Sequence, residues 1–243
     1  MNDEQVSNDT IYRQYSGSTI YGTSVATSDV DIRGVCILSD LGYYFGYSKR
    51  FEQKDKWDDG VDRVIYEYRK AVKLIADGNP NMVDLLFVKP EFVITTTPQW
   101  DVMKENRDLF LSTRMQHTFT GYAYAQLKKL NNGASSDSWN EVDKKVGYKC
   151  KHGMHLVRLL RMGLEIVQDG EVNVWRDDAD ELLSIRNGSM SIKELNDYAD
   201  MMQNKVTEAS KATSLPRTPD HNKIEELCVE TLKDYLSSSW DYV

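Results

Sequence analysis

Two aspartates separated by one residue, with ten residues between them and a preceding glycine-serine pair, constrain this chain more than anything else in it. The run opens on Gly17-Ser18 and closes on Ser28-Asp29-Val30-Asp31-Ile32-Arg33-Gly34-Val35. In an extended strand successive side chains alternate faces, so Asp29 and Asp31 project from one side and Val30 and Ile32 from the other. Two carboxylates side by side on a rigid strand repel each other, and a divalent cation relieves that repulsion. Mg²⁺ takes one or two carboxylates together with substrate phosphate oxygens. The backbone amides after Gly17 and Ser18 are suited to receive a phosphate. The run therefore implies a strand, a tight turn and a strand edge built for metal-assisted transfer of a nucleotidyl group; the bland alternative is a polar loop leading to an edge strand with solvated aspartates.

Gly-Ser, a spacer of this length and Asp-x-Asp between apolar residues resemble the signature of the DNA polymerase β-type nucleotidyltransferase superfamily. Further segments, Tyr66-Glu67-Tyr68-Arg69-Lys70, Asn79-Pro80-Asn81 leading to Asp84-Leu85-Leu86-Phe87, and Lys151 to Arg158, are similar to its YcgL-type branch. Members of that branch occur in bacteria and tailed phages and are associated with RNA repair. The similarity spans about residues 10–95 and, more loosely, 145–220. The chain departs from the branch at Gly153 and in polar loops at 54–60 and 131–138. The resemblance implies an α+β fold: a polymerase β-type core over residues 1–95, with a small mixed sheet and helices on one face, then a mainly helical domain over 96–243 that completes the active site.

A third carboxylate belongs to that resemblance. The run Val83-Asp84-Leu85-Leu86-Phe87-Val88 reads as a buried strand interrupted by one aspartate, and an unpaired buried charge costs several kcal/mol. Asp84 is thus expected to join Asp29 and Asp31 as catalytic residue and metal ligand, with capping of a turn as the plain alternative. Asp62 is the rival; it reads as the start of a helix over Tyr66 to Asp77, where an acid offsets the dipole.

The third feature is a basic stretch. Between residues 126 and 161 stand eight lysines and arginines against three acids. On a helix expected from Tyr148 to Gln168, Lys151, His155 and Arg158 fall at i, i+4 and i+7, one stripe among leucines. Lysine as a point charge, arginine as a fork and histidine as a donor suit a phosphate clamp; a solvated basic face is the alternative. Gly17, Ser18, Lys151, His155 and Arg158 are the expected phosphate-binding set, with Arg69 and Lys70 as weaker candidates.

Composition narrows the partners. At 243 residues and a net charge of −8 the chain does not coat nucleic acid non-specifically. No run approaches the roughly 20 apolar residues that cross a bilayer. Three distant cysteines, Cys36, Cys150 and Cys228, form neither a disulfide framework nor a zinc pair, and the N-terminal residues read as no signal peptide, so a reducing, cytoplasmic setting is expected. The expected activity is Mg²⁺-dependent transfer of a nucleotidyl group from a nucleoside triphosphate, with Mn²⁺ as a substitute ion and an RNA end as acceptor. Nucleotidylation of a protein or small molecule, or a silent nucleotide- or RNA-binding module, are the alternatives.

Overall fold

A computed structural model describes residues 2–57, 62–132 and 139–240. A short helix α1 (Asp3–Asn8) leads into β1 (Thr10–Ser16), whose Tyr12, Gln14 and Ser16 are buried on one face. One 3-10 turn, Gly17–Thr19, follows, and β2 (Asp31–Cys36) returns antiparallel with Ser16 opposite Asp31 and Tyr12 opposite Val35. β3 (Gln53–Lys54), β4 (Arg63–Glu67) and β5 (Val93–Thr96) complete a mixed sheet of order β3-β4-β2-β1-β5, in which β2 and β4 are parallel and the other pairs antiparallel. Val6, Cys36, Leu38, Trp57 and Ile65 form a core cluster to which Tyr43, Tyr44 and Phe51 add. The α+β expectation holds.

α2 (Tyr68–Ala76) continues straight out of β4 and buries Tyr68, Ala71, Val72 and Ile75, the i, i+3, i+4, i+7 face of an amphipathic helix. Residues 63–67, whose end was read as helix, are strand because their register with β2 is continuous from Ile32↔Arg63 to Cys36↔Glu67. Asp62 accordingly leads a strand and does not cap a helix. The segment from Tyr43 to Gln53 carries no continuous strand. Phe45 N bonds Leu41 O at 2.9 Å and Gly46 N bonds Gly42 O at 3.1 Å, so helical turns occupy its first part, and only Gln53–Lys54 pairs with β4.

A second correction concerns Asp84. Residues Pro80–Phe87 form helix α3, not a strand. Met82, Val83, Asp84, Leu85 and Leu86 are all buried, so the run carries no periodicity that separates helix from strand. Gly78 at φ +74° turns the chain, and Pro80 then sits at the first helical position, where its fixed φ is preorganised for a helix. The stretch Val172 to Trp175 is irregular.

The chain divides into two compact units, Met1–Ala76 with Asn81–Phe110 and Asp220–Val243, and Asp77–Pro80 with Leu111–Pro219. The division expected after residue 95 lies inside the first. The cause is pairing and packing: β5 is a strand of the sheet, and Trp100 of α4 (Pro98–Glu105) stacks on Tyr12 with centroids 4.9 Å apart. Asp220 N also bonds Leu109 O at 3.0 Å, which returns the last helix to this unit.

The second unit is helical: α5 (Thr113–Asn131), α6 (Glu141–Val146), α7 (Cys150–Asp169), α8 (Ala179–Arg186) and α9 (Ile192–Ala212). α7 is its centre, packed by α5, α8 and α9. A capping box opens α9, with Glu194 N donating to Ser191 Oγ at 3.2 Å and Ser191 N to Glu194 Oε2 at 2.7 Å. Residues 133–138 of the polar loop at 131–138, and 58–60 of the loop at 54–60, lie outside the described residues. α10 (His221–Trp240) belongs to the first unit, where Gln99 Nε2 donates to Asp234 Oδ2 at 2.8 Å.

Candidate active site at the head of the second strand

β1 ends on Ser16 directly opposite Asp31, so the Gly-Ser turn and the first residue of β2 are neighbours by register. Gly17 takes φ +62°, open to glycine at no steric cost, and a Cβ there would stand 2.2 Å from Asp31 Oδ2. The carboxylate therefore rests on bare backbone. Behind it, Thr23 N bonds Ser18 O at 3.0 Å and Ser24 Oγ donates to Ser18 Oγ at 3.2 Å, which closes the turn on itself. Arg33, two residues along β2, donates to Ser16 Oγ at 2.6 Å.

Asp31 is half-buried, and Asp29, two residues ahead of it, is exposed. Val30, expected to pack behind them, is 56% exposed because β2 begins only at Asp31. Ile32 N bonds Asp62 O at 3.0 Å, and Ile32 pairs with Arg63. Carrying that parallel register back one residue sets exposed Asp62 beside Asp31, on strands about 4.8 Å apart.

Asp84 stands on α3 and not on a strand. It is fully buried on α3 and accepts a hydrogen bond from Tyr21 OH, tying the loop after the Gly-Ser turn to that helix. Among the described residues no group of three His, Cys, Asp or Glu side chains stands ready-made around one metal position. The donor set still fits Mg²⁺: Asp29, Asp31 and Asp62 are hard oxygen donors at an accessible strand end, and this ion takes one or two carboxylates beside substrate phosphates.

Arg69 and Lys70 are engaged locally. Arg69 Nε donates to Glu67 Oε1 at 2.9 Å, and Lys70 Nζ to Glu52 Oε2 at 2.6 Å. Glu67 also accepts from Lys70 N at 3.1 Å, so this buried acid, not singled out from the sequence, starts α2. Its signal was the Glu-x-x-Lys spacing at a strand-to-helix junction.

In the second unit the stripe is not one surface. Lys151 is exposed, His155 half-buried and Arg158 buried, with Arg158 Nη1 set 3.5 Å from Met162 Sδ. α7 is covered on several sides, and i, i+4, i+7 spacing does not say which side meets solvent. Burial, then Arg158, Lys151, His152 and Arg186, push the His155 imidazole down to about 3, so it is neutral at physiological pH. Its Nδ1 is buried with no hydrogen-bond partner. Gly153 has a packing reason: a Cβ there would lie 2.9 Å from Leu195 Cδ1 of α9.

Gly17→Ala is expected to lower thermal stability and to cut any activity of this edge together, since its Cβ displaces the Asp31 carboxylate and its φ is strained. The loss is about 1–3 kcal/mol of stability, read by denaturant titration. Equal stability and activity in the variant would disconnect the turn from Asp31.

Two similar proteins set this geometry in context. A phage T4 protein, described as an uncharacterized 38.9 kDa protein in the nrdC-mobD intergenic region, is 30% identical over 129 residues, which cover 49% of this chain and 38% of that protein. The match thus spans well under half of the phage protein's length. A nucleotidyltransferase-like protein from Exiguobacterium sibiricum 255-15 is 13% identical at a TM-score of 0.32, over 83% of this chain and 71% of that one. No helix among the described residues is long and apolar enough to cross a membrane. Residues 2–230 match the profile of the RNA repair pathway DNA polymerase beta family, RlaP, and the chain belongs to that family.

Proposed function

We propose that this protein transfers a nucleotidyl group from a nucleoside triphosphate to the hydroxyl of an RNA end, using Asp29 and Asp31 as ligands for Mg²⁺ or Mn²⁺. The observation that carries the reading is the Asp31 carboxylate seated on the bare backbone of Gly17 at the head of β2. When bound, the ion neutralises charge on the triphosphate and on the departing pyrophosphate. Ser18 offers its hydroxyl and amide to phosphate oxygens. Asp62, beside Asp31, orients the attacking hydroxyl and accepts its proton; the new bond forms between that oxygen and the α-phosphorus as the bond to pyrophosphate breaks. Asp84 keeps a positioning role through Tyr21.

The test uses each α-³²P-labelled nucleoside triphosphate with Mg²⁺ and a panel of RNA ends, proteins and small alcohols. Label on RNA supports the proposal. Label on a protein or an alcohol alone, or binding without transfer, overturns it in favour of nucleotidylation or a silent module. Within the same assay Asp62→Asn is expected to lose about a hundredfold or more in rate, while Asp84→Ala keeps transfer measurable but costs about 2 kcal/mol of stability by removing the buried carboxylate that accepts from the Tyr21 hydroxyl. The reverse pattern would restore Asp84 as the third carboxylate.

A further inference from the structure

The stretch between β2 and β3 carries five aromatic residues, and they divide by role. Tyr43 meets Phe51 edge-on at 6.5 Å, and both lie on the core cluster with Tyr44, whose hydroxyl accepts from Leu38 N at 2.9 Å. These three anchor the segment. Phe45 and Tyr47 do the opposite: they are 79% and 95% exposed. Two large rings presented to solvent by a segment anchored in this way make a surface for a flat ligand.

Phe45 also borders a cavity of about 610 Å³, with Tyr44 and Arg69 on one wall and Val229, Lys233 and Asp234 of α10 on the other. The wall is mostly apolar and the cations stand at its border. Arg69 is fixed there, its guanidinium 4.7 Å from the Tyr44 ring centroid and its Nε bonded to Glu67. The one acid, Asp234, is held by Gln99 Nε2 at 2.8 Å. Arg50 is exposed on the segment, and residues 41–51 contain no acid. Flat apolar surface combined with fixed cations matches a ligand that joins an apolar ring to an anion.

We propose that this cavity and the Phe45 and Tyr47 rings bind single-stranded RNA, with a nucleobase in the cavity, a neighbouring base stacked on an exposed ring, and backbone phosphates on Arg69, Lys233 and Arg50. The site rests on the proposed RNA acceptor, and it deepens that reading by giving the acceptor strand a place on the first unit. Stacking is tolerant of sequence, because every base has a π-face, so the site selects unpaired over paired RNA and not one base over another.

The test is fluorescence anisotropy with a fluorescein-labelled, mixed-sequence single-stranded RNA, in EDTA and without nucleotide, so that no transfer is involved. The double variant Phe45→Ala/Tyr47→Ala is expected to bind about tenfold more weakly or worse, with its melting transition unmoved, and Phe45→Trp/Tyr47→Trp to bind at least as tightly as wild type. Lys233→Glu should weaken binding and flatten its salt dependence. Blunt duplex RNA of equal length should bind more weakly than the single strand. Wild type that binds no RNA, a double variant that binds normally, or equal affinity for the duplex overturns the site. So does light scattering that shows wild type dimeric and the double variant monomeric with RNA binding unchanged, which would make the rings a self-association face. RNA binding that needs the rings, with no label transferred by wild type, overturns the transfer proposal and leaves this site standing. Normal transfer with ring-independent binding overturns this site alone.

Discussion

Asp31→Asn is expected to lower the rate of metal-dependent transfer by about a thousandfold or more, with the fold retained. Asparagine keeps the size that fits over Gly17, where a Cβ would already be 2.2 Å from the Asp31 oxygen. It removes the charge that holds a cation against the triphosphate. Relief of repulsion from Asp29 and Asp62 should leave the variant as stable as wild type or more so. The check is initial rate of labelled nucleotide transfer beside a thermal melt. A variant that transfers at the wild-type rate would remove Asp31 from the site; one that is unfolded would make it a structural residue.

The largest stability effect is expected in the second unit, at Arg176. This guanidinium is 6% exposed and binds Glu165 through two bonds of 2.7 Å and Asp178 through bonds of 2.8 and 3.2 Å. Arg161 joins the same network, donating to Asp178 at 2.6 Å and to both oxygens of Glu181 at 2.8 and 2.7 Å. The loop after α7 is thus fastened by charge where no strand forms. Arg176→Ala leaves Glu165 with only the long bond from Asn173 Nδ2 at 3.5 Å and Asp178 with only Arg161, and should cost about 3 kcal/mol, with Arg176→Lys recovering only part, since it lacks the fork. Burial raises the Asp178 carboxyl, but the bonds from Arg176 and Arg161 outweigh it and hold it below the ordinary 3.8. A depressed carboxyl contributes its stability above the unfolded value and loses it as pH falls through the folded one. The difference between wild type and Arg176→Ala should therefore be full at neutral pH and shrink below about pH 4, as measured by urea unfolding across that range. A difference independent of pH would mean that packing, not charge, sets the cost.

Local chemistry was legible and long-range pairing was not. The Gly-Ser turn and the aspartates at the head of β2 are close in sequence, and the family they point to is the one the chain belongs to. Asp62 gains its place from parallel pairing of β4 with β2 across some thirty residues of chain, which no window around Asp62 contains. Asp84 sits in a run apolar on every side, where periodicity carries no information and Pro80 held the decisive signal. Arg158 shows a further limit. Helical spacing aligned it with Lys151, yet α5, α8 and α9 enclose α7, so the two end at different depths. Spacing gives neighbours on a helix; which neighbours reach solvent is decided by what packs against it.

The return of the last helix has a consequence for how the chain comes to order. The long segment of the second unit, Leu111–Pro219, interrupts the first between Phe110 and Asp220, and its two ends meet: Asp220 N bonds Leu109 O at 3.0 Å, and just inside it Thr113 N bonds Pro216 O at 2.9 Å. Until the inserted unit folds, α10 is tethered to its sheet by a long slack loop, and bringing it home costs about 3 kcal/mol more entropy than a five-residue connection would. Once α5 and the segment after α9 are joined, the two ends of the insert are clamped together and that penalty vanishes. The insert thereby acts as a clasp: its own folding delivers the final helix, and a short turn that joined Leu109 to Asp220 should serve the same end in its absence.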